Sequence, residues 1–91
     1  MSLWHADFRG HGVFDTNFSF PPGVIHRHQH VLASICEISQ PQGEPLDFPF
    51  QGAASMWIDS IVPQDDSSVT VRIGVDHDSD LNIRIQFTVF D

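Results

Sequence analysis

Two stretches decide the fold: VTVRIGV at residues 69–75 and LNIRIQFTV at residues 81–89. In both, an apolar residue occupies every second position, and mostly polar residues lie between. Because successive side chains of a strand point to opposite faces, this period of two predicts half-buried strands. The polar segment HDSD at residues 77–80 separates them and predicts a turn.

The N-terminal segment has the same alternation over a longer run. From Trp4 to Phe20 the even positions are mostly aromatic or small, and the odd positions are mostly polar. Gly10 and Gly12 interrupt the run, which indicates a bulge or a sharp bend. Because the parity is the same on both sides of the glycines, the pattern predicts one continued buried face. The turn Pro21-Pro22-Gly23 then ends the strand.

Residues 24–38 allow two interpretations. A helical stripe is formed by Val24, His28, Val31, Ile35 and Ile38. The β-branched residues of the same segment favour an extended chain. We predict a strand, because the preceding Pro-Gly turn joins two segments of similar length and so favours a long hairpin. The alternative is a helix over residues 24–38 packed on an antiparallel sheet.

The middle of the chain contains a long loop. Three prolines and two glycines between residues 39 and 54 predict irregular structure with one short edge segment at residues 46–48. Phe48 and Phe50 either pack over the sheet or form a contact surface. After the loop, Met56, Ile58 and Val62 share a parity and predict one more strand, which ends in a turn at residues 63–66.

These strands must cover their apolar faces against one another. For about 90 residues the all-β solution is an antiparallel two-layer β-sandwich of about six strands, or a small barrel. We predict the sandwich. A chain of 91 residues builds one domain, which we assign to residues 4–91, with residues 1–3 interpreted as a vector leader.

The charge of the chain excludes some partners. Twelve acidic residues face four arginines and no lysine, for a net charge of −8. Such a chain cannot neutralise a phosphate backbone, so we expect no nucleic-acid binding. No apolar run approaches the about 18 residues that cross a bilayer, so we expect no membrane partner. The single cysteine, Cys36, and the lack of a signal-peptide pattern predict a cytoplasmic location.

Three of the six histidines lie at alternate positions, His26, His28 and His30. On a strand they would share one face, and the predicted hairpin sets His30 opposite Asp15. This arrangement predicts a metal site of His28, His30 and Asp15 for a transition metal such as Zn²⁺. The simpler interpretation is the solvent-exposed side of a hairpin, and a third is a pH-responsive contact surface.

Two further groups are candidates for binding. Asp76, Asp78 and Asp80 suit a weak calcium site, although such residues also populate turns because their side chains cap local backbone groups. Trp57 is out of phase with its apolar neighbours and is expected to face outward, where it stacks on a sugar or lies in an interface together with Phe48 and Phe50.

The leading functional prediction is a non-enzymatic interaction module that self-associates into a homo-oligomer. Both faces of residues 31–38 are apolar, a two-layer domain cannot bury both, and no lysine protects the strand edges. The sequence predicts no catalytic residue. One alternative is a metal-binding protein or metal-dependent enzyme that uses the His/Asp patch. The other is a carbohydrate-binding module.

Overall fold

The structure is a computed structural model that describes residues 1–39, 43 and 45–91. Its strands are β1 (Ser2–Gly10), β2 (Gly12–Ser19), β3 (His30–Ser39), β4 (Phe48–Phe50), β5 (Met56–Gln64), β6 (Ser68–Val75) and β7 (Leu81–Phe90). A four-stranded sheet has the order β1-β7-β3-β4, and a three-stranded sheet has the order β2-β6-β5. All pairs are antiparallel. The prediction of an all-β antiparallel sandwich is confirmed.

The core lies between β6 and β7, the two stretches with the clearest alternation. Each is a central strand of its own sheet, so its inward side chains are covered from both sides and from the facing sheet. Val71, Ile73, Ile83 and Ile85 are completely inaccessible to solvent. Aromatic rings near β2 close one end of this core, where Phe18 contacts Phe87 edge-on with a centroid distance of 5.3 Å. Such packing is the main source of stability in a domain of this size.

The N-terminal alternation spans two sheets. Even-numbered residues of both β1 and β2 face the core, as predicted, but β1 lies in the four-stranded sheet and β2 in the three-stranded one. The bend at residues 10–12 makes the switch, with Gly12 at a positive φ of 71°. Gly10 lies under the Phe14 ring, since a Cβ atom there would be 2.7 Å from Phe14 Cζ. Strand β1 begins at Ser2, inside the segment that the sequence assigned to a leader.

The predicted hairpin between residues 13–20 and 24–38 is wrong, and so is the helical alternative. Only the part from His30 onward is a strand, and it pairs with β7, whereas β2 pairs with β6. The segment after the Pro-Pro-Gly turn crosses from one sheet to the other. Ile25 is buried in the core on the way, and its N–H donates to Ser67 Oγ over 3.1 Å, while Ser67 Oγ donates to the carbonyl of Pro21 over 2.7 Å. These bonds join the crossing to the β5–β6 turn.

Two details of the middle strands also differ from prediction. Strand β5 has an irregularity between Ile58 and Ser60, and this extra residue reverses the phase, so that Ile61 packs inward and Val62 is exposed. The prediction that Val62 faces the same side of the sheet as Met56 and Ile58 is therefore wrong. The edge segment is β4, two residues later than predicted, and Phe48 and Phe50 remain exposed.

One ion-pair network joins β1 and β7 of the four-stranded sheet to the residue before β4. The Arg84 guanidinium on β7 donates to both carboxylate oxygens of Asp7 on β1, over 2.7 and 2.9 Å, and to Asp47 over 2.6 Å. The Arg84 side chain is only 11% exposed. Its hydrogen bonds lower the pKa of Asp7 from the ordinary value, against the opposing effect of desolvation.

We expect Asp7→Asn to destabilise the fold in a pH-dependent way. Because the pKa of Asp7 is lower in the folded than in the unfolded chain, the pair stabilises the fold above the ordinary carboxyl range, and the contribution is lost as the pH falls through the folded pKa. Melting curves should therefore show a loss of a few degrees in Tm at neutral pH that shrinks in acid. Asp78→Asn, at a fully exposed carboxylate, is the control. An equal loss at all pH values would contradict the assignment.

Candidate functional site

The structure separates the residues of the predicted transition-metal site. His28 lies in the turn before β3, and His30 at the start of β3 is paired with Phe90. Asp15 lies on β2 in the other sheet, where it accepts a hydrogen bond from Arg72 Nε over 2.8 Å. Within residues 1–39, 43 and 45–91, no group of three His, Cys, Asp or Glu side chains is placed to hold a metal ion. The predicted arrangement fails because it depended on a hairpin that does not form.

The run Asp76, Asp78 and Asp80 lies in the connection from β6 to β7, which crosses between the sheets. Asp80 contacts His11 Nδ1 over 2.5 Å, and the Asp78 side chain is fully exposed. The described residues contain no group of three such side chains placed to hold a metal ion, and the weak calcium site remains a prediction. Local capping is present, because the N–H of Ser79 donates to His77 Nδ1.

Trp57 faces outward on the three-stranded sheet, as the sequence predicted. In the register it lies beside Gly74, with Val13 on the far side of that glycine. A Cβ atom at Gly74 would overlap the indole, nearest to the ring-fusion carbon Cε2 and next to Cζ2 and Nε1. This order of distances means that the face of the ring, not its edge, covers Gly74. The outer face of the indole remains accessible, and Trp57 is 39% exposed.

The outer face of the four-stranded sheet carries exposed apolar residues that are aligned across a half-buried threonine. The register places Leu3, Thr88 and Leu32 side by side on β1, β7 and β3. Leu3 is 74% exposed and Leu32 is 63% exposed. Phe90, two residues further along β7 on the same face, is also exposed. We name these four residues the apolar strip. Leu3, Leu32 and Thr88 of the strip also line a depression of about 400 Å³ that extends to His5, Ser34 and Gln86.

A cleft of about 650 Å³ opens at the end of the sandwich where β3 ends and β5 begins. It is lined by residues 35–37 of β3, residues 49 and 50 of β4, the segment 51–55 and Met56. Glu37 lies on the phase of β3 that faces the core, two positions after Ile35. A Cβ atom at Gly52 would overlap Glu37 Oε1 and lie 3.2 Å from Glu37 Cδ. The glycine therefore lets the carboxylate lie against the main chain.

Sequence reasoning did not identify Glu37 as a site residue, although a signal was present. In β3 the inward positions are Val31, Ala33 and Ile35, so a carboxylate at the next inward position breaks the apolar pattern. The apolar strip was missed for a different reason. Leu3 lies in the segment interpreted as a leader, and only the pairing of β1, β7 and β3 brings it into line with Leu32.

Comparisons with protein-family models, with curated proteins and with solved structures find no match for this chain. Within the described residues, no helix has the length and apolar character needed to cross a membrane.

We expect Gly74→Ala to displace the indole of Trp57. The new methyl group would occupy the position of the ring, so the side chain must leave the surface of the sheet. In a Trp4→Phe background, where Trp57 is the remaining tryptophan, the emission should shift to the red and the Tm should fall. Thr70→Ala, on the same face of β6, is the control. Replacing a strand glycine by alanine without a clash usually stabilises, so a rise in Tm would contradict this packing.

Proposed function

We propose that this chain is a non-enzymatic interaction module that self-associates through the apolar strip. The observation that carries the proposal is the row Leu3, Thr88 and Leu32, in which two leucines are more than half exposed on adjacent parts of one sheet face. Isolated exposed apolar residues are ordinary on protein surfaces, whereas an aligned group on one sheet face favours a contact.

The charge around the strip favours a second copy of the chain as the partner. The register row on one side of the strip contains His5, Gln86 and Ser34, and on the other side His30 lies beside Phe90 of the strip. None of these residues is acidic. Two molecules of net charge −8 repel each other on average, and they approach with least repulsion where the surface lacks carboxylates.

The geometry of the sheet suits a symmetric contact. In a two-fold dimer one surface contacts its own copy, so the strip on each molecule would cover the strip on the other. The molecule measures 39 × 28 × 16 Å along its principal axes, and its broad face exceeds the about 800 Å² that each partner buries in a typical stable interface.

We expect analytical ultracentrifugation or light scattering to show a dimer, and Leu32→Glu to shift it to monomer. The introduced carboxylate would face its own copy and would need to be desolvated at the contact. Because one substitution acts twice in a two-fold dimer, we expect a loss of affinity of at least tenfold.

Val13→Glu is the matched control, because Val13 is 62% exposed but lies on the outer face of the other sheet. The two variants have the same charge and introduce the same side chain at similarly exposed strand positions. A monomeric parent protein at tens of micromolar would overturn the proposal. Equal dissociation in both variants would assign the effect to net charge and overturn the role of the strip.

The exposed indole of Trp57 favours a second candidate, a carbohydrate-binding module. A tryptophan that lies with one face on a sheet and the other open offers a flat apolar surface on which the C–H face of a pyranose ring packs. Asp15 and Arg72 form an ion pair on the same sheet face, and their polar atoms suit sugar hydroxyls.

Titration with soluble oligosaccharides tests this candidate. If the module binds sugar, the fluorescence of Trp57 in the Trp4→Phe background should change in a saturable way. Trp57→Ala should abolish the heat of binding in calorimetry, whereas Leu32→Glu should retain it. A flat response across β-linked glucose, N-acetylglucosamine, mannose and xylose oligomers would remove the candidate.

A further inference from the structure

The cleft at the end of the sandwich holds an acidic side chain in an unusual position. The chain has 12 acidic residues, and all except Glu44 lie in the part that the structure describes. Among these, Glu37 alone is not exposed. A carboxylate that loses part of its hydration is costly unless a cation or hydrogen-bond donors replace the water.

In the part of the chain that the structure describes, no cationic side chain pairs with Glu37. Every arginine has a polar partner elsewhere: Arg84 contacts Asp7 and Asp47, Arg72 contacts Asp15, Arg27 contacts Asp65, and Arg9 contacts Asn82. The sequence contains no lysine, and none of the residues that line the cleft is basic. Within residues 1–39, 43 and 45–91, no side-chain hydrogen bond or ion pair involves the Glu37 carboxylate.

The other residues that line the cleft indicate which chemical groups the ligand carries besides its positive charge. Ile35 and Met56 present apolar side chains, and Phe50 presents an aromatic ring beside Glu37, whose register partner it is. An aromatic ring near a carboxylate stabilises an organic cation by cation–π attraction, and the aliphatic side chains pack against a hydrocarbon stem. The volume of about 650 Å³ lies in the usual range for small-molecule sites.

We propose that this cleft binds an alkylammonium group, with Glu37 as its counter-ion and with Phe50, Ile35 and Met56 around the stem. The ammonium belongs either to a free aliphatic amine or to a lysine side chain, since both present the same charged end on a hydrocarbon chain. A hard metal cation fits less well because it needs several oxygen ligands, and the described residues supply no group of three. This site lies apart from the apolar strip, so it does not depend on self-association.

Titration of the ¹⁵N-labelled protein with n-butylammonium, followed by amide chemical shifts, tests the proposal. We expect saturable shifts centred on residues 35–37 and 50–56, with a Kd on the order of 1 mM, as suits a ligand of this size. The neutral isostere n-butanol should bind at least tenfold more weakly, because it cannot pair with the carboxylate. Equal binding of the two ligands, or no shifts in the cleft, would overturn the proposal.

Two variants assign the charge to Glu37. Glu37→Gln keeps the shape of the side chain and should weaken n-butylammonium binding at least tenfold, whereas Asp59→Asn, at an exposed acid on β5, should leave it unchanged. Gly52→Ala should also weaken binding, because its methyl group displaces the carboxylate. If Glu37→Gln fails to fold, the comparison of n-butylammonium with n-butanol on the unmodified protein still shows whether binding in the cleft requires the positive charge. Unchanged affinity in folded Glu37→Gln would overturn the proposal.

A parallel titration identifies the source of the ammonium. Nα-acetyl-lysine N-methylamide carries the same four-carbon stem and charge, together with two peptide groups. Tighter binding than n-butylammonium by tenfold or more supports a lysine of a polypeptide as the ligand, and equal binding supports a free amine.

Discussion

The structure depends on the burial of two central strands against each other. The inward side chains of β6 and β7 are the most completely buried in the described chain, and every other strand either flanks one of them in a sheet or extends a flank. Because β6 and β7 follow each other in sequence but lie in opposite sheets, residues 76–80 must cross between the layers. The connections β1–β2, β2–β3 and β4–β5 cross as well, so most neighbours along the chain are not neighbours in a sheet.

The crossing connections determine which side chains become neighbours on the surface. A sheet assembled from distant parts of the chain aligns side chains whose positions in the sequence are unrelated. Leu3 and Leu32 meet across Thr88 in this way, and Trp57 meets Gly74 and Val13 on the opposite face of the sandwich. The Arg84 network likewise joins Asp7 to Asp47, 40 positions away in the sequence, through a guanidinium that is only 11% exposed. The outer face of the four-stranded sheet therefore carries the apolar strip and that of the three-stranded sheet carries Trp57, although the strands of both sheets alternate in the same way.

The candidate sites differ in how far the sequence could predict them. The outward position of Trp57 follows from its phase in β5, and that prediction is confirmed. His28, His30 and Asp15 are not brought together, because that set required a specific strand pairing: His30 pairs with Phe90 and Asp15 with Arg72, and no local pattern contains that information. Glu37 is an intermediate case, since its inward phase can be read from β3, whereas the cleft around it needs β4 and the segment with Gly52.

The sequence by itself determined the strands and the faces they bury. The alternation in residues 4–20, 69–75 and 81–89 is a local property, because the side-chain period of a strand is two residues whatever its neighbours are. The local pattern was insufficient where residues 24–29 proved not to be a strand, where β4 lies two residues later than predicted, and where the bulge in β5 reversed the phase of Val62. Only the tertiary structure decided which strands pair, where the chain changes sheets, and which outward side chains adjoin. Those outcomes depend on how the two apolar faces fit together across the core, and this fit involves residues far apart in the sequence.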